Sequence, residues 1–257
     1  MLLRSKRSLP STPDPHRRRK NMPIIERMSQ KSDEWRSRHI GRPTAGNFHK
    51  ILSPVRMKLS SQRKGYMYRL ITETMMGEYL PEKEITGEKA YWLDRGLEME
   101  APARASFERD TKMEIEPIGF VMTNDEKLGC SPDGLIVGSN EKEAIEIKSP
   151  APWTHVAYLL AAKTEETWQR YRCQVQGQIL IGQFEAVHFY SYHPDWPPKY
   201  VQTLPDLKFQ PILRQALDDF VGEMEEELKR AREMREKWLG SVGRELRGTG
   251  PGPWGHG

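Results

Sequence analysis

Asp133, Glu146 and Lys148 stand in the stretch CSPDGLIVGSNEKEAIEIKSP, residues 130–150, with twelve residues between the aspartate and the glutamate and one between the glutamate and the lysine. Two carboxylates within a few ångströms of each other repel and raise one another's pKa unless a cation lies between them. Mg2+ takes oxygen ligands in an octahedron and keeps several waters, so two carboxylates and a backbone carbonyl, that of Ile147, compose a site for it. A lysine beside them can orient or help deprotonate an attacking water, and can stabilise the charge that grows on a phosphate under hydrolysis. A solvated hairpin is the other reading of the same residues.

The elements that must position these groups follow from the pattern. With Ser139–Lys142 as the turn, partner numbers add to about 281, which sets Asp133 opposite Lys148 and Leu135 opposite Glu146. Side chains alternate along a strand, so Asp133, Glu146 and Lys148 share one face while Ile136, Ile145 and Ile147 share the other as core. A third carboxylate comes from helical periodicity: Trp92, Gly96, Ala103 and Phe107 recur at spacings of three and four, and Glu100 falls on their stripe. Its bland reading is an edge position with the carboxylate in solvent. In YRCQVQGQIL, Tyr171, Gln174 and Gln178 line one helical side, as ligands of a water or phosphate or as ordinary helix surface.

The chain has 257 residues, enough for one large α/β domain with a substantial core. Its hydrophobic content of 37% contains no apolar run long enough to cross a bilayer. The start, MLLRSKRSLPSTPDPHRRRK, has no apolar segment after its basic residues and does not read as a secretory signal. Cys130 and Cys173, without metal-type spacing, suggest reduced thiols and a cytoplasmic setting. The net charge of +4 is unevenly spread. Residues 1–20 carry seven Lys and Arg against Asp14 alone, which leaves the rest slightly acidic and argues against a protein that coats DNA everywhere. Residues 35–72, however, hold nine Lys and Arg with no Asp or Glu. Such a segment can neutralise phosphates, or be a solvated basic face.

Composition marks residues 1–22 as a flexible basic tail and 241–257, ending GTGPGPWGHG, as a Gly/Pro-rich one, with a single domain over 23–240. Helices are expected from Ser32, from Thr44 after Pro43, over 65–80, over 88–109 with a kink or new start at Pro102, over 164–182, and from about Asp206 to Leu239. Strands are expected at 117–123, 133–138, 143–148 and 185–192.

An Asp followed after a hairpin by Glu-x-Lys resembles the PD-(D/E)XK nuclease signature, and CSPDGL with EIKSP is similar to the phage lambda exonuclease, YqaJ-type branch of it. WRSRHIGRPTAGNFHKIL resembles that family's N-terminal Trp, basic loop and helix start. GLEMEAPARASFE resembles its G-x-x-x-E-x-x-A-R helix, YRCQVQGQ its Y-x-x-Q-x-Q helix, and AVHFYSYHP the strand that follows. The matches run in order from about residue 35 to 195, more specific together than any short motif singly.

The resemblance implies a restriction-endonuclease-like α/β core, a mixed β-sheet flanked by helices. It implies that Glu100, Asp133, Glu146 and the Ile147 carbonyl hold two Mg2+, for which Mn2+ can substitute, that Lys148 is the catalytic lysine, and that Gln174 supports the water or the lysine. The family's arginine for a 5′-phosphate falls at His39, flanked by Arg38 and Arg42, and its serine at Gly46 beside Thr44. The implied activity is digestion of one strand of linear duplex DNA 5′ to 3′, in phage-type recombination or DNA-end processing. A homotrimer and a single-strand annealing protein are the partners implied besides DNA, in a host cytoplasm if the chain is phage-encoded. A PD-(D/E)XK endonuclease or single-strand-specific nuclease is the nearer alternative. A non-enzymatic DNA-binding module is the more distant one, since carboxylates facing phosphate have no use in pure binding.

Overall fold

The computed structural model describes residues 22–80, 86–161 and 169–245, so most of both tails, and residues 164–168 of the helix expected from 164, lie outside the described residues. Strands β1 (Ile24–Glu26), β3 (Phe120–Met122) and β4 (Gly129–Cys130) form a small antiparallel sheet in the order β1-β3-β4. The main sheet has the order β2-β5-β6-β7-β8, from β2 (Ile115–Glu116), β5 (Gly134–Ile136), β6 (Glu143–Lys148), β7 (Ala186–His193) and β8 (Trp196–Thr203). Only the β6–β7 pair is parallel within it. That pair needs a crossover. The chain supplies one through α5 (Pro152–Leu160) and α6 (Arg172–Gly182).

The remaining helices are α1 (Asp33–His39), α2 (Arg63–Met76), α3 (Glu88–Glu98), α4 (Glu100–Thr111) and α7 (Phe209–Glu245), with 3-10 turns at Ala45–Lys50 and Gln169–Tyr171. Ser32 caps α1 by accepting the Trp35 N–H at 3.1 Å, as its residue type favours. The helix expected after Thr44 forms as the 3-10 turn. The long 88–109 segment breaks at Met99, not at Pro102, which lies in the first turn of α4 where its missing N–H costs nothing. Asp206 starts α7 by accepting the Lys208 and Phe209 N–H groups, and the helix runs on to Glu245, through residues that composition placed in the tail.

Both faces of the main sheet are covered. Ile136 and Ile145 pack with Phe107, Ile115 and Tyr190 on one side. Leu135, Ala144, Val187 and Phe189 join the larger core with α2, α6 and α7 on the other. The carboxylate-bearing face of β6 is therefore not an open floor over a buried sheet, as the alternation alone suggests, but is itself covered by α6. The two cysteines are free and buried, and burial raises both thiol pKa values, that of Cys173 to about 12. Neither is a reactive thiolate.

Candidate active site

The β5–β6 register pairs Gly134 with Ile145 and Leu135 with Ala144, so partner numbers add to 279 and Asp133 falls level with Glu146, not Lys148. The physical reason is an extra turn. Ser139 N–H donates to Ile136 O at 3.2 Å with Gly138 at φ 82°, and only then do Asn140 and Glu141 reverse the chain at φ 55° and 61°. The second turn is the one expected over 139–142, and its two positive φ values are those of a two-residue hairpin; the first adds two residues ahead of it. A shift of two preserves parity, so Asp133, Glu146 and Lys148 still share a face. Gly134 is needed because a Cβ there would lie 2.3 Å from Ile115 Cγ2 and 2.8 Å from Glu116 O. This close approach of β2 is what the Asp-Gly pair encodes.

Asp133 is held at the mouth of β5. Its Oδ2 accepts the Ile147 N–H at 2.6 Å, its own N–H donates to Ile145 O at 2.9 Å, and its carbonyl accepts Arg104 Nη2 at 2.6 Å. Gln30 Nε2 braces the preceding residue by donating to Pro132 O at 2.8 Å. Glu146 is 2% exposed, and both its oxygens are engaged. Oε1 accepts Gln174 Nε2 at 2.6 Å and contacts Lys148 Nζ; Oε2 accepts Gln178 Nε2 at 2.5 Å. Lys148 Nζ also lies 5.2 Å from the centroid of the Tyr171 ring. The helical side Tyr171–Gln174–Gln178 is thus no ordinary surface: it closes over the buried carboxylate, and Gln178 is as much a part of the site as Gln174.

Burial, and then the neighbouring Glu146 charge, raise the Asp133 pKa to about 7. Burial alone would lower that of Lys148, but the Glu146 and Asp133 carboxylates outweigh it and hold the ammonium above its ordinary range. Lys148 is a fixed positive charge in this arrangement.

Asp133, Ile147, Lys148 and Glu100 line a cleft of about 1090 Å³ together with Arg27, Gln30, Trp92, Arg104, Arg170 and Tyr171. Glu100 is on the wall, as its stripe with Trp92 and Gly96 requires, but its Oε1 pairs with Lys31 Nζ at 3.1 Å in solvent. Among the described residues, no three His, Cys, Asp or Glu side chains gather as a metal cluster. The donor set of Asp133 and Glu146 does fit a divalent cation: it is all oxygen, and the Glu146 charge, which after burial raises the Asp133 pKa, is what a cation between carboxylates relieves.

The residues aligned with 5′-phosphate binding are placed elsewhere. His39 is wedged between Trp35 and Phe120, at ring centroid distances of 3.8 and 4.7 Å. Its Nδ1 hydrogen-bonds Trp35 O at 2.8 Å, and burial lowers its pKa to about 4, so it is neutral. Arg42 donates to the carbonyls of Glu126 and Arg38, and Arg38 pairs with Glu26 at 2.7 Å. Thr44 is buried beside Gly129. None of the four lines the cleft. Arg27, Arg104 and Arg170 do line it; Arg104 is the arginine that closes the G-x-x-x-E-x-x-A-R match, four residues after Glu100 on the same helical side, whereas Arg27 and Arg170 lie outside the matched motifs.

No curated protein matches the chain. Among solved structures, an alkaline exonuclease from Laribacter hongkongensis is 24% identical with a TM-score of 0.68, covering 80% of this chain and 100% of its own; its complex with dAMP matches equally. A phage-related exonuclease from Haemophilus somnus is 13% identical with a TM-score of 0.54, over 74% of this chain and 96% of its own. The mixed sheet flanked by helices is therefore the fold of these nucleases. The family model of the YqaJ-like viral recombinase domain matches residues 34–185, which hold every element of the cleft floor, and the chain belongs to that family.

Proposed function

We propose that the protein is a divalent-cation-dependent exodeoxyribonuclease that degrades one strand of linear duplex DNA 5′ to 3′. The observation that carries this reading is that Asp133 and Lys148, at the floor of a cleft whose walls bear Arg27, Arg104 and Arg170, converge on the buried Glu146 carboxylate beneath it. The fold shared with an alkaline exonuclease seen with dAMP supports it.

Asp133 and Glu146 would hold the cation, with Glu100 opposite and the Ile147 carbonyl beside them. When bound, a divalent cation makes a water more acidic and offsets negative charge on the phosphoryl oxygens. Lys148 sets its ammonium against the charge that grows as water attacks phosphorus. Gln174 and Gln178 fix the Glu146 carboxylate, while Gln30 and Arg104 hold the backbone of residues 132 and 133. The arginines of the walls neutralise backbone phosphates and position the strand without reading its bases.

The test is incubation with linear and covalently closed duplexes, each with Mg2+ and with a chelator. Loss of linear DNA alone, from 5′ ends and only with Mg2+, is the expected result. Nicking of the closed circle would replace this reading with an endonuclease, and no cleavage of any DNA would remove it. Comparing 5′-phosphate and 5′-hydroxyl ends then reads the end preference.

A further inference from the structure

Beside the cleft three aromatic rings stand together. The Trp92 ring, on the cleft wall, has its centroid 4.9 Å from that of Tyr91 and 5.2 Å from that of Trp153, at interplanar angles of 77° and 86°. Tyr91 is 60% exposed and Trp153 59% exposed. Edge-to-face contact satisfies the ring quadrupoles while leaving outer ring faces uncovered. Cations are interleaved: the Arg95 guanidinium lies 5.7 Å from the Trp92 centroid, and that of Arg170 lies 5.5 Å from Tyr171, which lines the same cleft. Arg95 Nη2 lies 3.3 Å from His193 Nε2, and its Nη1 is buried with no hydrogen-bond partner among the described residues.

Exposed aromatic faces alternating with arginines, continuous with a cleft that holds hydrolytic groups, are the chemistry of single-strand recognition: every base offers a π-face, and each nucleotide brings a phosphate for the neighbouring cation. A paired duplex hides those faces. We propose that Trp153 and Tyr91, set against Trp92, form a stacking platform for the unpaired bases of a DNA strand at the cleft. The inference rests on the nuclease reading and adds to it where an unpaired strand is held.

The test is binding of a fluorescein-labelled oligothymidylate by the full chain in chelator, followed by polarisation across a salt series. Trp153→Ala is expected to weaken binding about tenfold, the order of one lost base stack, with Trp153→Phe near wild type. Because stacking releases no counterions, the plot of log affinity against log salt should shift without changing slope. An abasic strand should bind the wild type at least as weakly as the normal strand binds Trp153→Ala, and should lose little more in the variant. Trp153 is exposed, so an unchanged thermal midpoint is expected and checks the fold. Unaltered affinity in Trp153→Ala and Tyr91→Ala, with wild type binding and cutting DNA, overturns the platform alone. A wild type that neither binds nor cuts DNA overturns the nuclease reading, and the platform with it. A changed oligomeric state in Trp153→Ala without loss of strand binding would make this face a subunit contact instead.

Discussion

Gln178 donates to one oxygen of the Glu146 carboxylate from above the sheet, while Gln174, one helical turn earlier, donates to the other. The two bonds are not equivalent. Oε1 is shared with Lys148, whereas Gln178 is the one donor recorded at Oε2 among the described residues. Leaving a buried charged acceptor without its partner costs about 1–3 kcal/mol or more. Gln178→Leu is therefore expected to lose at least that much stability, and Gln174→Leu less. Urea denaturation of both variants measures it, and equal losses would contradict the asymmetry.

Asp133 connects the site to pH. Its pKa of about 7 in the folded chain lies above the ordinary aspartate value, so between about pH 4 and 7 the native state binds more protons than the unfolded one. Stability without metal then falls as pH rises through that window and levels off above it. Asp133→Asn keeps an acceptor for the Ile147 N–H but removes the charge. Its thermal midpoint should exceed that of the wild type at pH 8 and approach it at pH 5, while nuclease activity is lost. A constant difference between the two pH values would mean that Asp133 is not the group responsible.

A ligand that binds only the native state stabilises by about 2.7 kcal/mol at a hundred times its Kd. At pH 8, MgCl2 is expected to raise the thermal midpoint of the wild type and to leave that of Asp133→Asn nearly unmoved. Calorimetric scans with and without chelator settle the point; equal shifts in both proteins would place the cation elsewhere.

Lys148→Ala removes the ammonium that the proposed function sets beside the scissile phosphate. Loss of one preorganised electrostatic contact costs about 10²–10³ in kcat, so single-turnover cleavage should fall by at least that factor while the circular-dichroism spectrum is retained. Activity within a few-fold of wild type would exclude Lys148 from the chemistry.

End binding separates His39 from Arg170. Arg170→Ala is expected to weaken DNA binding across all sequences and to reduce the salt slope by about 1. His39→Ala should leave that slope and the 5′-phosphate preference unchanged, because its ring is neutral and packed on Trp35 and Phe120. It should instead lower stability. A selective loss of 5′-phosphate preference in His39→Ala would restore the role its alignment implies.

Strand β6 was legible because its signals are local. Glu143–Lys148 has the expected bounds, and the side-chain alternation survives even though the register moves by two residues. That shift lay in Gly138, whose positive φ adds a turn that spacing alone does not reveal. Strand β8 was missed because Pro197 and Pro198 demote it, yet it is an edge strand, where proline is tolerated. The strands β1, β2 and β4 are two or three residues long and exist only through their partners, so no periodicity announces them. Glu100 could be placed on the cleft wall by its helical stripe, but not its pairing with Lys31, sixty-nine residues away in the chain. The glutamines of α6 look like surface residues until the sheet beneath them is known to carry a buried carboxylate.

That buried carboxylate makes one residue answer to two kinds of selection. Asp133 lies at the cleft, whereas Glu146 is enclosed in the hydrogen-bonded layer between β6 and α6 and pairs there with Lys148. Chains that drift into inactivity while remaining folded should therefore lose the aspartate first, since loss of the lysine leaves a buried charge unpaired. The glutamate should persist in them as a relic of the chemistry, kept by folding after catalysis has gone.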